Sequence, residues 1–164
     1  MLGDSLLVAP IFNEIGKASY YLPNGTWVSL LTDEVREGGK WYTDTYDYFT
    51  LPLYVRENTL LARGFESELP DYDYADRITF HLYQLKDGGK AKSQVPDIAG
   101  NIVLVAEAQR DQDTITFSVS DLEKKPCFIL HHIEHVSEII GGEAKLCEEE
   151  ICLIPNKEKV QIIL

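Results

Sequence analysis

From Ile78 to Tyr83 the chain alternates strictly. Ile78, Phe80 and Leu82 fall on one face, with Gln84 following them, and Thr79, His81 and Tyr83 fall on the other. Successive side chains take opposite faces only in a strand, so a period of two specifies a β-strand with one side on a core. Lys86-Asp87-Gly88-Gly89 then reads as a turn. Short runs of the same character are expected as strands at 17–23, 27–31, 40–43, 51–56, 59–63, 102–108, 114–119, 127–130, 150–154 and 160–164. Turn signals at such spacing fit an all-β sandwich. The segment Gln109-Arg110-Asp111-Gln112-Asp113 reads as a hairpin loop, and Asn24-Gly25 is expected to close a hairpin between 17–23 and 27–31. Asn24-Gly25-Thr26 also matches a glycosylation acceptor, but Pro23 before it favours the turn.

The opening stretch is of another kind. Leu6, Leu7, Val8 and Ala9 form an apolar run between Gly3-Asp4 and Pro10. It reads as a strand buried on both faces, the type that a parallel sheet or a barrel interior uses. The rest reads as antiparallel, so the first ten residues read as the last piece of something larger. Residues 13–70 then form one small antiparallel sandwich and 71–164 a second. The boundary is expected near Glu66-Ser67-Glu68-Leu69-Pro70-Asp71, which is acidic and lacks periodicity.

The chain of 164 residues can bury one good core or two small ones. It carries 15 Lys and Arg against 27 Asp and Glu, a formal charge of −12. That argues against nucleic acid and anionic membranes as partners, since both call for basic patches. No apolar run approaches the roughly 20 residues of a membrane span, and no secretory leader opens the chain. Cys127, Cys147 and Cys152 are odd in number and form no Cys-x-x-Cys pair. They read as reduced thiols of a cytoplasmic protein.

Several constellations invite a chemical reading. His131-His132-Ile133-Glu134-His135 matches His-x-x-Glu-His, the inverted zinc-peptidase signature. Zinc hydrolysis would need His131 and His135 on one helical face with Glu134 as base. Ile129, Ile133, Val136 and Ile140 have helix-like spacing, whereas Pro126-Cys127-Phe128-Ile129-Leu130 reads as a strand with the histidines at its solvated end. Asp71, Asp73 and Asp76 suggest a calcium loop, but the sixth and twelfth positions hold Asp76 and Leu82 where that loop needs Gly and Glu. Trp27, Trp41, Tyr42, Tyr46 and Tyr48 offer either a sugar-stacking platform, as in a carbohydrate-binding module, or ordinary core. Glu148-Glu149-Glu150 reads as a solvated turn and Asp4 as a turn or cap residue.

Gly3-Asp4-Ser5-Leu6-Leu7-Val8-Ala9-Pro10 resembles the end of the catalytic barrel in glycoside hydrolase family 31. The same resemblance continues through Tyr20-Tyr21-Leu22-Pro23-Asn24-Gly25-Thr26-Trp27, then Gly38-Gly39-Lys40-Trp41, then Leu51-Pro52-Leu53-Tyr54-Val55-Arg56-Glu57-Asn58-Thr59. Asp71-Tyr72 and Phe80-His81-Leu82-Tyr83-Gln84-Leu85-Lys86-Asp87-Gly88 are most similar to the bacterial α-xylosidase branch. The resemblance implies that residues 1–12 are the last strand of the catalytic barrel, followed by the proximal and distal C-terminal β-sandwich domains of a retaining α-xylosidase or α-glucosidase that needs no organic cofactor. Retaining enzymes use two carboxylates about 5 Å apart. In this family both are aspartates on barrel segments that precede the matched stretch. The resemblance therefore assigns no catalytic, cofactor or metal residue to this chain. It implies the parent's own barrel as partner and leaves a homo-oligomer open. A barrel of that kind takes roughly 250 residues, more than the chain contains. Without barrel partners, residues 1–10 are expected to pair onto the chain's own sheets or to drive dimerisation.

Overall fold

The computed structural model describes residues 1–65, 68, 72–147 and 150–164. Among these there is no helix, hence none long and apolar enough to cross a membrane. The strands are β1 (Leu6–Val8), β2 (Lys17–Leu22), β3 (Thr26–Ser29), β4 (Val35–Glu37), β5 (Lys40–Thr45), β6 (Leu53–Arg56), β7 (Thr59–Arg63), β8 (Thr79–Tyr83), β9 (Lys90–Pro96), β10 (Ile102–Asp111), β11 (Thr114–Val119), β12 (Cys127–Leu130), β13 (Glu138–Ile140), β14 (Gly142–Cys147), β15 (Glu150–Pro155) and β16 (Lys159–Ile163). Contacts divide the chain into Met1–Glu57 and Asn58–Leu164. In the expected linker, Glu66, Ser67, Leu69, Pro70 and Asp71 lie outside the described residues, as do Glu148 and Glu149 of the acidic triplet.

The first unit holds a four-stranded sheet in the order β1-β6-β3-β4 and a separate ribbon of β2 and β5. The hairpin expected at Asn24-Gly25 does not form. β2 pairs with β5, and β3 pairs with β4 and β6. The physical reason lies in burial. Ala18, Tyr20 and Leu22 turn one face of β2 inward, whereas all four residues of β3 are buried. The turn therefore carries the chain from one layer to the other. Trp27 Nε1 donates to the Pro23 carbonyl at 2.8 Å, and Gly38 N donates to Gly25 O at 2.7 Å. Gly38 is required there, because a Cβ would lie 1.7 Å from the Pro23 oxygen.

β1 lies antiparallel to β6, with Leu7 opposite Tyr54. Of the two outcomes expected for the opening residues, the structure has the first, pairing within the chain. The strand is not buried on both faces, however. Leu7 joins the core while Leu6 and Val8 are half-buried. Asp4 sits in the turn that closes residues 2–6 on themselves.

The second unit is a sandwich of two five-stranded sheets, β13-β16-β11-β10-β9 and β14-β15-β12-β8-β7. Phe80, Phe117, Phe128, Leu104, Ile115, Leu130, Leu153 and Ile162 fill the space between them. All named pairs in this unit are antiparallel except β12 with β8, which run parallel. β7 belongs to this unit through its register with β8, where Leu60 faces Leu82. β10 runs on to Asp111, so the expected five-residue loop shrinks to Gln112 and Asp113. Gln84 leaves the alternating face. It takes φ 45°, and Leu85 is buried in its place.

Candidate functional site

In the first unit a polar cluster ties the ribbon to the four-stranded sheet. Tyr20 from β2 donates its hydroxyl proton to Asp44 Oδ2 of β5 at 2.8 Å. Its oxygen then accepts from Arg36 Nη1 of β4 at 2.8 Å, with the Tyr46 and Tyr54 hydroxyls 2.7 and 2.9 Å away. Arg36 also pairs with Asp44 and, at 2.8 Å, with Glu34, and its guanidinium lies 4.8 Å from the centre of the Tyr42 ring. Burial, then hydrogen bonds with Tyr46, Tyr54 and Asp44, push the Tyr20 phenol far above its ordinary value. Burial opposes ionisation of Asp44, but the Arg36 and Tyr20 hydrogen bonds outweigh it and hold the carboxyl below the usual range. A phenol that never ionises and a carboxylate locked to an arginine make a structural cluster, with no proton to exchange near neutral pH.

The same unit carries an apolar rim. Residues 10–16 and 46–51 run side by side, joined by Tyr46 N to Gly16 O at 2.9 Å, and line a groove of about 640 Å³. Ile15, Tyr48 and Leu51 face the groove, and the neighbouring Phe12 and Phe49 project into solvent. Phe12 is 91% exposed and Tyr48 97%. Exposed apolar side chains clustered along a groove mark a contact surface. The sequence reading singled out Tyr46 and Tyr48 here. Phe12, Ile15 and Phe49 sit in loops, outside any alternating pattern, where apolar residues have no core to reach.

The five aromatics read as a possible platform do not form one. Trp27 is fully buried, Tyr42 stacks on Tyr20, and Tyr46 joins the hydroxyl cluster. Trp41 and Tyr48 are exposed. Trp41 instead pairs across the ribbon with Tyr21, ring centres 5.7 Å apart. Tyr21 was legible: with Ala18, Tyr20 and Leu22 inward on β2, it has to face out.

In the second unit His131 follows β12 and does not enter a helix. Residues 131–137 are turn and loop, and His132 takes φ 61°. His131 and His135 therefore share no helical face, and the zinc-peptidase reading fails on geometry. His131 turns to other neighbours. His81 Nδ1 lies 2.8 Å from His131 Nε2, and His131 Nδ1 lies 3.1 Å from Glu150 Oε1. With both rings neutral, His81 donates to His131 and His131 donates to the carboxylate. Tyr83 stacks on His131 at 4.2 Å. Burial, the facing His131 and Arg63 lower the His81 pKa to about 4. Of the acidic positions weighed for calcium, Asp73 is engaged by Lys124 at 2.6 Å and Asp76 by Arg77 at 3.1 Å. The three cysteines are free thiols, and burial pushes Cys152 up to about 12. Among the described residues no group of three or more His, Cys, Asp or Glu is placed to hold a metal.

Comparison with known proteins accounts for both units. The profile of the α-xylosidase YicI C-terminal domain matches residues 73–164, and that of the glycosyl hydrolase family 31 C-terminal domain matches residues 1–61. Alpha-xylosidase XylQ of Lactiplantibacillus pentosus is 34% identical over 151 residues, covering 89% of this chain and 20% of that protein. Alpha-glucosidase 2 of Bacillus thermoamyloliquefaciens is 34% identical over 95 residues, 56% of this chain and 11% of its own length. The chain thus spans a fifth or less of these relatives. A family 31 dextranase from Flavobacterium johnsoniae shares the fold, with TM-score 0.76 at 15% identity over 100% of this chain and 26% of that one. On these matches the chain belongs to glycosyl hydrolase family 31, as its C-terminal region.

Proposed function

We propose that this chain is the non-catalytic C-terminal region of a retaining family 31 glycosidase that removes terminal α-linked xylose or glucose, and that its first unit braces the catalytic barrel. On this reading residues 1–12 continue the barrel's last strand. The observation that carries the proposal is the exposed rim of Phe12, Ile15, Tyr48 and Phe49, of which Phe12 and Ile15 adjoin that strand in sequence. Burying such side chains is worth roughly 1.5–3 kcal/mol each. The catalytic aspartates belong to the barrel, and the sandwiches supply rigidity and a surface for subunit assembly. Three free thiols support a reducing, cytoplasmic setting.

The test combines this chain with the parent's separately expressed barrel segment. The chain alone is expected to leave p-nitrophenyl α-xyloside and α-glucoside intact. Added to the barrel, it is expected to co-elute with it and raise its activity, and a Phe12→Ser/Phe49→Ser variant is expected to do neither. Turnover by the repurified chain alone, or a barrel indifferent to the addition, would overturn the proposal.

A further inference from the structure

The ribbon of β2 and β5 has two unlike faces. Ala18, Tyr20 and Leu22 of β2 turn inward, backed by Tyr42. The outer face is laid out in register: Lys17 opposite Thr45, Ser19 opposite Thr43, and Tyr21 opposite Trp41. Trp41 is 70% exposed and Tyr21 43%, and neither belongs to the apolar core of the unit. The contrast with Trp27, which is 0% exposed and fills the core a few residues away, shows that the fold does not need Trp41 for packing.

We infer that this outer face is a surface site for a neutral oligosaccharide, with Trp41 and Tyr21 as its stacking pair. The inference builds on the reading of the parent as a glycosidase, which sets the ligand class. Aromatic faces take up the apolar faces of pyranose rings, and a few hydroxyls beside them fix orientation. Both parts are present here. Ser19 Oγ and Thr43 Oγ1 lie 2.8 Å apart in the next row of the ribbon, where they can exchange hydrogen bonds with sugar hydroxyls. The two rings are 5.7 Å apart and tilted by 59°, which makes a shallow cradle. A cradle suits a bent, α-linked chain better than a flat one, and it presents one ring to each of two successive sugars. The strands hold both rings in place, so little backbone order is lost on binding. Bases of single-stranded nucleic acid also stack on aromatics, but they need a basic groove, and this chain has a formal charge of −12. Two exposed rings support only weak binding, with Kd on the order of a millimolar.

The two tryptophans make the test direct. In a two-dimensional NMR spectrum of the full 164-residue chain, the Trp41 indole N–H is expected to shift on titration with maltotriose, isomaltotriose or a xyloglucan oligosaccharide. The Trp27 indole, donated to the Pro23 carbonyl at 2.8 Å, is expected to stay in place and serves as the folding control. Tyr21→Ala is expected to weaken the Trp41 response several-fold. Trp41→Ala is expected to abolish binding by calorimetry while the Trp27 signal is kept. A Trp41 signal that stays still to tens of millimolar sugar would overturn the inference. So would a response unchanged in Tyr21→Ala, or loss of acrylamide access to Trp41 in the sugar-free parent enzyme, since a protein contact would then cover the face. The sugar titrations are independent of barrel bracing, which is read by association.

Discussion

His81 shows how a single residue ties pH to stability in the second unit. Its Nδ1 faces His131, which in turn faces Glu150, while Tyr83 stacks on His131 and Arg63 adds positive field. The folded ring holds its proton only below about pH 4, whereas an unfolded histidine takes one up near 6.5. Between those values the unfolded chain binds more protons, so stability is complete above pH 6.5 and declines as the pH falls toward 4. The full shift would correspond to about 3 kcal/mol. Partial exposure of the ring reduces this to about 2 kcal/mol. Melting followed in the second unit is expected to show that slope, and His81→Phe is expected to flatten it even if it lowers the plateau. An equally steep slope in the variant would assign the titration elsewhere. From the sequence His81 was legible as an outward residue of a half-buried strand. Its partner was not, because the parallel pairing of β8 with β12 brings together residues fifty positions apart.

At the scale of elements, legibility followed apolar content. β11 and β12 coincide with their expected bounds because each alternates cleanly between core and surface. β14 escaped notice because it is solvated along nearly its whole length and carries no pattern. β9 has only Ala91 and Val95 as its buried apolar positions among Lys90, Lys92 and Gln94, too faint a signal beside a glycine turn. The error at Asn24-Gly25 was different. The turn chemistry was read correctly, but a turn sets the local path of the chain and leaves strand pairing to burial, and the fully buried β3 belongs to another sheet than β2. What holds that corner is its close approach to Gly38. Gly38→Ala would drive a methyl into the Pro23 carbonyl and is expected to destabilise the first unit by about 3 kcal/mol, at the upper end for overpacking. Both tryptophans lie in the first unit, so denaturation followed by their emission reads the effect. A midpoint unchanged from the parent chain would show that the corner can open without cost.

For the whole molecule, two features of this chain oppose each other. Phe12, Ile15, Tyr48 and Phe49 present apolar surface that favours self-association, and a formal charge of −12 keeps copies apart. β1 pairs with β6 and is the edge strand of its sheet, but Leu7 lies in the core and Leu6 and Val8 are half-buried, so the apolar rim is the more exposed of the two. Electrostatic repulsion between copies acts over a Debye length, which shrinks from about 30 Å at 0.01 M salt to about 3 Å at 1 M. Burial of apolar side chains does not weaken over that range. Light scattering of the isolated chain is therefore expected to give a monomer at low salt and a rising apparent mass as sodium chloride is added. Phe12→Ser/Phe49→Ser should remain monomeric throughout. If mass instead falls with salt, the contact between copies is an ion pair and the rim is inert. A rise that persists in the double variant would point to another apolar surface of this chain, such as the exposed Ile98 or Leu146 of the second unit.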